Sequence, residues 1–287
     1  MISICILLAL IYKLFAVEPM DGISNLSMSS LYWVLLSFIF LPINIGLESW
    51  KWHRLLGHID AKPFIECVRI VLLGQSLNVV TPFATGDAYV RIMQSASAER
   101  HKCVGAVLMN RATQMIPTLM FGSVSIIFLS RYILGYEYIL MVVLVLLAAF
   151  VMVFLLIKHA SIPFFDPYIT LVKQVSLIEI VRLEAISFAR YIVFSMQFVL
   201  VLFAFEVPLS PDTLIVGVWW VFLIKTILPH MTLLGDLAKR EVSAVMFFSV
   251  FLGDVSTVVL AGAVVWLINS VIPAVAGLIF ISKLTGK

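Results

Sequence analysis

A chain of 287 residues that is 62% hydrophobic and only 12% charged, where a soluble domain carries about 25% charged residues, excludes a water-soluble fold. Its mean hydropathy of +1.12 points the same way, to a polytopic membrane protein. A formal net charge of +3 offers no broad basic surface for nucleic acid, so the informative quantity is where the positive residues fall between the apolar runs.

Residues 2–17 are apolar, have no basic n-region or small-residue cleavage site and are interrupted by Lys13, so they read as a first membrane helix rather than a removed signal peptide. Residues 18–30 form a loop without Lys or Arg. The second span, 31–47, closes on Glu48, Trp50, Lys51, Trp52 and Arg54, the mixture of tryptophan and basic residues expected at a membrane interface. From Pro63 the chain turns apolar again with Glu66 and Arg69 in its first turns, but Pro82 stops the run short of the ~20 residues a crossing needs. Residues 86–98 add a second short helical stretch, so 63–98 predict a re-entrant hairpin. Residues 104–129 span despite Arg111, 140–157 span without interruption, and 158–183 form a polar connector.

The second half repeats this pattern. Residues 186–205 span with Arg190 inside them, 206–212 turn on two prolines, and 213–228 run to Pro229 with Lys225 near the end. Gly235 opens a charged stretch that becomes apolar over 242–252, giving a second hairpin over 213–252, and 254–281 are the last span. The fold class expected is an all-α polytopic membrane protein, one integral domain over 1–287, built on an inverted repeat of span, re-entrant hairpin and span over about 31–130 and 184–282 with extra helices. Ten Lys and Arg, among them Lys51, Arg54, Lys62, Lys173 and Arg182, fall in the segments assigned to the cytoplasm, and Arg131 alone falls in the outer loops. That asymmetry predicts both termini in the cytoplasm.

The two hairpins share a motif. Pro82, Gly86, Asp87 and Arg91 recur as Pro229, Gly235, Asp236 and Arg240. Proline ends a helix, glycine permits the turn, and the aspartate falls at the start of the next helix, where a carboxylate accepts orphan amides. Asp87 and Arg91, like Asp236 and Arg240, are four residues apart, so each pair is either a self-contained structural device or half of an anion site at a helix N-terminus. Buried charges in lipid are costly and line pathways, which keeps the second reading open. Arg111, Arg190 and Lys225 are basic while Glu48, Asp254 and the motif aspartates are acidic, so pairs can form across the bundle. Lys225 is the stronger candidate for a headgroup, whereas Arg111 and Arg190 read equally as interfacial anchors. Asn78 and Gln75, one turn apart before Pro82, serve either the broken backbone or a polar headgroup, and His230 reads as a polar cap.

Catalytic motifs are missing. The five histidines show neither metal-ligand spacing nor a cluster with carboxylates, and there is no nucleophile elbow and no phosphate-binding glycine loop. No cofactor and no metal are expected, and Cys5, Cys67 and Cys103 read as small buried hydrophobes.

The run Gly74-Gln-Ser-Leu-Asn-Val-Val-Thr-Pro-Phe-Ala-Thr-Gly-Asp-Ala-Tyr-Val-Arg91, followed by Asn110-Arg111, resembles the transmembrane domain of bacterial lysylphosphatidylglycerol synthases. Pro229, Gly235 and Lys239-Arg240-Glu241 are similar to that family's second motif, and the resemblance covers essentially the whole chain. Two departures stand out: Asn110 precedes Arg111 where an acidic residue is usual, and 236–239 carry more charge than is typical. The resemblance implies a flippase-like module in a bacterial inner membrane, here without the soluble aminoacyl transferase domain. The expected activity is movement between leaflets of an anionic or phosphate-bearing lipid, aminoacylated and glycosylated forms included. Its headgroup would meet Asn78, Asp87, Arg91, Arg111, Lys225, Asp236, Arg240 and Glu241. The alternative is an intramembrane lipid-modifying enzyme or an accessory subunit of a separate glycosyl or aminoacyl transferase. Candidate partners are the lipid itself, a second copy of the chain or such a transferase.

Overall fold

A computed structural model describes residues 28–79, 81–82, 85–133, 171–228 and 233–280. The spans expected over 2–17 and 140–157, His230 and the chain ends lie outside them. Nine helices are described: α1 (Met28–Leu56), α2 (Phe64–Asn78), α3 (Thr85–Met93), α4 (Arg100–Ile133), α5 (Leu177–Ala204), α6 (Pro211–Ile227), α7 (Leu233–Phe248), α8 (Ser256–Trp266) and α9 (Ile272–Leu278). A π-helical turn, Leu267–Val271, joins the last two into one rod. Among the described residues four stretches are long and apolar enough to cross a membrane: Ser30–Leu56, Arg100–Tyr132, Leu177–Ala204 and Ser256–Leu278. The chain is an all-α polytopic membrane protein.

α1 and α5 form the central pair, and their contacts fix its direction. Arg54 near the end of α1 forks onto Glu179 at the start of α5, with Nε to Oε1 at 2.6 Å and Nη2 to Oε2 at 2.7 Å. At mid-length Arg190 Nε donates to Asn44 Oδ1 at 2.8 Å, and at the far end Gln197 Nε2 donates to the Ser37 carbonyl at 3.0 Å. Rising residue numbers on one helix meet falling numbers on the other, so the two run antiparallel. The turns that follow them, at 57–63 and 205–210, therefore lie at opposite ends of the bundle.

Each turn has a local cause. α5 ends in a Schellman motif, the Val207 amide bonding the Leu202 carbonyl and the Glu206 amide the Phe203 carbonyl. Glu206 accordingly takes a left-handed φ of 50° and Val207 packs into the core. Pro211 then opens α6, where a missing amide costs nothing. At the other end, outside the spans, Asp60 pairs with Lys62 at 3.2 Å and accepts the Ala96 amide at 3.2 Å, and the Lys62 bond holds its carboxyl below the usual range.

α2 packs on α3 and α6 on α7, giving two helix pairs, the first and second hairpins. Each hairpin rests on the span before it, α2 on α1 and α6 on α5. Each is covered by the closing span of the other half, since α9 packs on α2 and α4 on α6. Ser76 in α2 donates to the Ala274 carbonyl of α9 at 2.5 Å. Two apolar cores result. Trp52, Leu55, Ile70, Val90 and Ala106 anchor one around α1 to α4, and Phe198, Phe222, Phe247, Phe248 and Val258 anchor the other around α5 to α8.

Candidate functional site

The first hairpin turns on side-chain caps. Thr81 Oγ1 accepts the Gly86 amide and Asn78 Oδ1 accepts the Asp87 amide, both at 2.8 Å, which satisfies two orphan donors of α3. Gly86 lies so close to α2 that a Cβ there would sit 2.5 Å from the Leu77 carbonyl carbon, so a side chain would force the two helices apart. The expectation that Asp87 caps its own helix is corrected: Asn78 and Thr81 do that, and the Asp87 carboxylate instead takes Arg91 Nε at 2.7 Å.

Arg91 is 2% exposed and turns into the protein interior. Its Nη2 donates to Glu48 Oε1 at 2.6 Å, and its guanidinium lies 4.6 Å from the Trp52 ring. Glu48 in α1 is the hub of this cluster. It also accepts Asn110 Nδ2 at 2.9 Å and faces Arg190 Nη1 at 3.0 Å. Lys51, one turn on, is fully buried and donates to the Asn110 carbonyl at 2.8 Å. It is therefore an internal cation, not the interfacial charge suggested by the tryptophans beside it.

The second hairpin is wired differently. Asp236 is taken by Lys225 at 3.1 Å, with Lys239 at 3.8 Å and Arg240 at 3.9 Å, so here the aspartate and its arginine barely touch. Among the described residues Arg240 Nε and Nη1 are buried and have no hydrogen-bond partner. A guanidinium with two unused donors is prepared to bind an anion.

Between the tips of the hairpins lies a cavity of about 350 Å³. α2 contributes Gln75 and Asn78, α6 contributes Lys225 and Thr226, and α7 contributes Asp236, Lys239 and Arg240. The floor comes from the spans, with Asn44, Gln114, Thr118 and Arg190. The π-turn supplies Asn269 and Ser270. Pro273, four residues after Asn269, cannot donate to its carbonyl, and the wider turn re-aims these two side chains. Asn269 then links to Gln197 at 2.8 Å and to Asn44 at 3.4 Å. Four cations, Arg190, Lys225, Lys239 and Arg240, stand on the wall against the single carboxylate of Asp236.

Of the eight residues expected at the site, Asn78, Lys225, Asp236 and Arg240 line this cavity. Asp87 and Arg91 sit in the Glu48 cluster, Glu241 is buried against α8, and Arg111 is exposed on the outside of α4. Among the cavity residues that the sequence did not single out, Asn44, Gln114 and Thr118 belong to polar stripes. Asn44, Glu48 and Lys51 fall at i, i+4 and i+7 of α1, and Asn110, Gln114 and Thr118 at i, i+4 and i+8 of α4, each one inward face of an otherwise apolar helix.

No curated protein matches the chain. The family model for the lysylphosphatidylglycerol synthase TM region matches residues 1–277, and the chain belongs to that family, a membrane domain associated with lipid flippase and synthase-related function.

Proposed function

We propose that the chain carries a phosphate-bearing lipid between leaflets, its headgroup held in the cavity between the hairpin tips while the acyl chains stay in the bilayer. The observation that carries this reading is the composition of the cavity wall, where four cations face one carboxylate. The carboxamides of Asn44, Gln75, Asn78, Gln114 and Asn269 add donors and acceptors for the rest of a polar headgroup. Lys225, Lys239 and Arg240 supply the phosphate contacts, with Asp236 as the internal counterion that holds them in the empty state. Arg91 and Asp87 take the structural role, bracing the first hairpin against α1.

An inverted repeat is the frame for this movement. The antiparallel run of α1 against α5 supports it, and so does a packing pattern that is unchanged when the two halves are exchanged. Both termini lie in the cytoplasm, and access alternates as one half rocks against the other around the cavity.

The test is leaflet exchange in vesicles that hold purified protein and carry anionic, zwitterionic or polyprenyl lipids. Exchange of a phosphate-bearing lipid is expected, and Lys225→Met with Arg240→Gln should abolish it. Unchanged leaflet distribution for every lipid, with correctly inserted protein, would sink the proposal.

A further inference from the structure

Glu241 follows Arg240 on α7 and has a different environment. It is 3% exposed, and neither carboxyl oxygen has a hydrogen-bond partner among the described residues. Its end is pressed onto the backbone of α8, where a Cβ on Gly262 would lie 2.6 Å from Oε1. α8 carries no titratable residue. α6 offers Asp212 in its first turn and Lys225, which Asp236 already holds. On α7 itself, Asp236 and Lys239 belong to the cavity cluster, and the charge that bears on Glu241 is the Arg240 guanidinium. A carboxylate ion with no donor in such packing is strongly disfavoured.

Glu184 makes a useful contrast. Its oxygens also lack hydrogen-bond partners among the described residues, but it is only partly buried and feels the charge of Lys51.

We propose that Glu241 is a proton-binding site linked to the occupancy of the anion cavity, the proton and the phosphate-bearing headgroup binding together. This rests on the headgroup reading above. With Glu241 protonated, the one carboxylate near Arg240 on its own helix is Asp236, which lies 3.9 Å from Nη2, so Nε and Nη1 are available to a phosphate oxygen. When the carboxyl O–H bond breaks and the proton leaves to solvent, a negative charge stands beside Arg240 and draws the guanidinium away from the cavity. Linkage then requires the reverse: a phosphate held by Arg240 raises the proton affinity of Glu241. A proton gradient across the membrane would thereby bias the direction of lipid movement.

Proton uptake can be read directly. Phosphatidylglycerol is added to detergent-purified protein in weak buffer containing a pH dye, and lipid affinity is measured in parallel across a pH series. Wild type should take up protons as lipid binds, and its affinity should fall on the order of tenfold as pH rises through the titration of Glu241. Glu241→Gln should bind lipid with the same affinity at every pH and take up none, while Glu184→Gln should retain the uptake. The wild-type measurement decides the matter even if Glu241→Gln does not fold. Lipid binding that is independent of pH and brings no proton uptake overturns the linkage and leaves the headgroup site standing. Uptake undiminished in folded Glu241→Gln overturns the assignment to this residue. Absence of lipid binding at every pH overturns the headgroup reading and this inference with it.

Discussion

Arg91 and Arg240 occupy matching places in the two motifs, yet substituting them should have opposite consequences. Arg91→Gln removes two short ion pairs, 2.6 Å to Glu48 and 2.7 Å to Asp87, from a fully packed interior. It strips Asp87 of the guanidinium it pairs with and leaves Glu48 to Arg190 and Asn110. Breaking a buried pair from one side costs about 3–5 kcal/mol, because the remaining charge loses its compensation. Arg240→Gln removes one contact at 3.9 Å, and Asp236 keeps Lys225 at 3.1 Å. It also removes two buried nitrogens that have no hydrogen-bond partner among the described residues, which offsets part of the loss, so the net cost should be about 1 kcal/mol or less. Equilibrium unfolding of the purified variants in mixed micelles, followed by circular dichroism, measures both. Lipid exchange in vesicles should be lost in Arg240→Gln despite its near-normal stability. Equal destabilisation of the two variants, or a stable Arg91→Gln that exchanges no lipid, would refute the division into a structural and a binding arginine.

Three further outcomes follow from the same geometry. Gly86→Ala should prevent α3 from closing on Leu77 and cost about 1–3 kcal/mol in the same unfolding assay. Asn78→Ala should lose about 1 kcal/mol through the Asp87 amide it leaves uncapped, and should weaken lipid binding only modestly. Single cysteines at His58 and Ser210, in a background without other cysteines, should label from opposite faces of the membrane, since those turns lie at opposite ends of α1 and α5; labelling from one face would dismantle the inverted repeat.

Much of the fold was legible because lipid makes the rules strict. A broken apolar run must re-enter protein, so Pro82 with Gly86 marked one hairpin directly, and the repeat of the pattern marked the other. Lys225, Asp236 and Arg240 could be selected because an ionisable group beside a helix break has few places to go. Glu48 could be named as an acid free to pair across the bundle, but its cluster with Lys51 and Asn110 was harder to see. Glu48 and Lys51 sit beside two tryptophans, a combination that also describes a membrane interface, and only packing against α4 separates the two cases. Asp87 and Asp236 show the same limit from the other side. Identical spacing to an arginine gives a tight pair at 2.7 Å in one hairpin and a loose one at 3.9 Å in the other, because a lysine from α6 competes for Asp236 while no lysine competes for Asp87 among the described residues.

The bond between Ser76 and Ala274 joins positions 198 residues apart, and it has a consequence for how the protein is made. At a synthesis rate of 5–20 residues per second, the first hairpin waits roughly 10–40 s for α9, the helix that covers it, to leave the ribosome. During that interval the face of α2 that carries Ser76 must rest against lipid or the insertion machinery. The second hairpin is spared this delay, since α4 is already in place when α6 emerges. Biogenesis is therefore lopsided in a molecule whose packing is nearly symmetric, and a chain that stops before α9 leaves its first half uncovered however well that half is inserted.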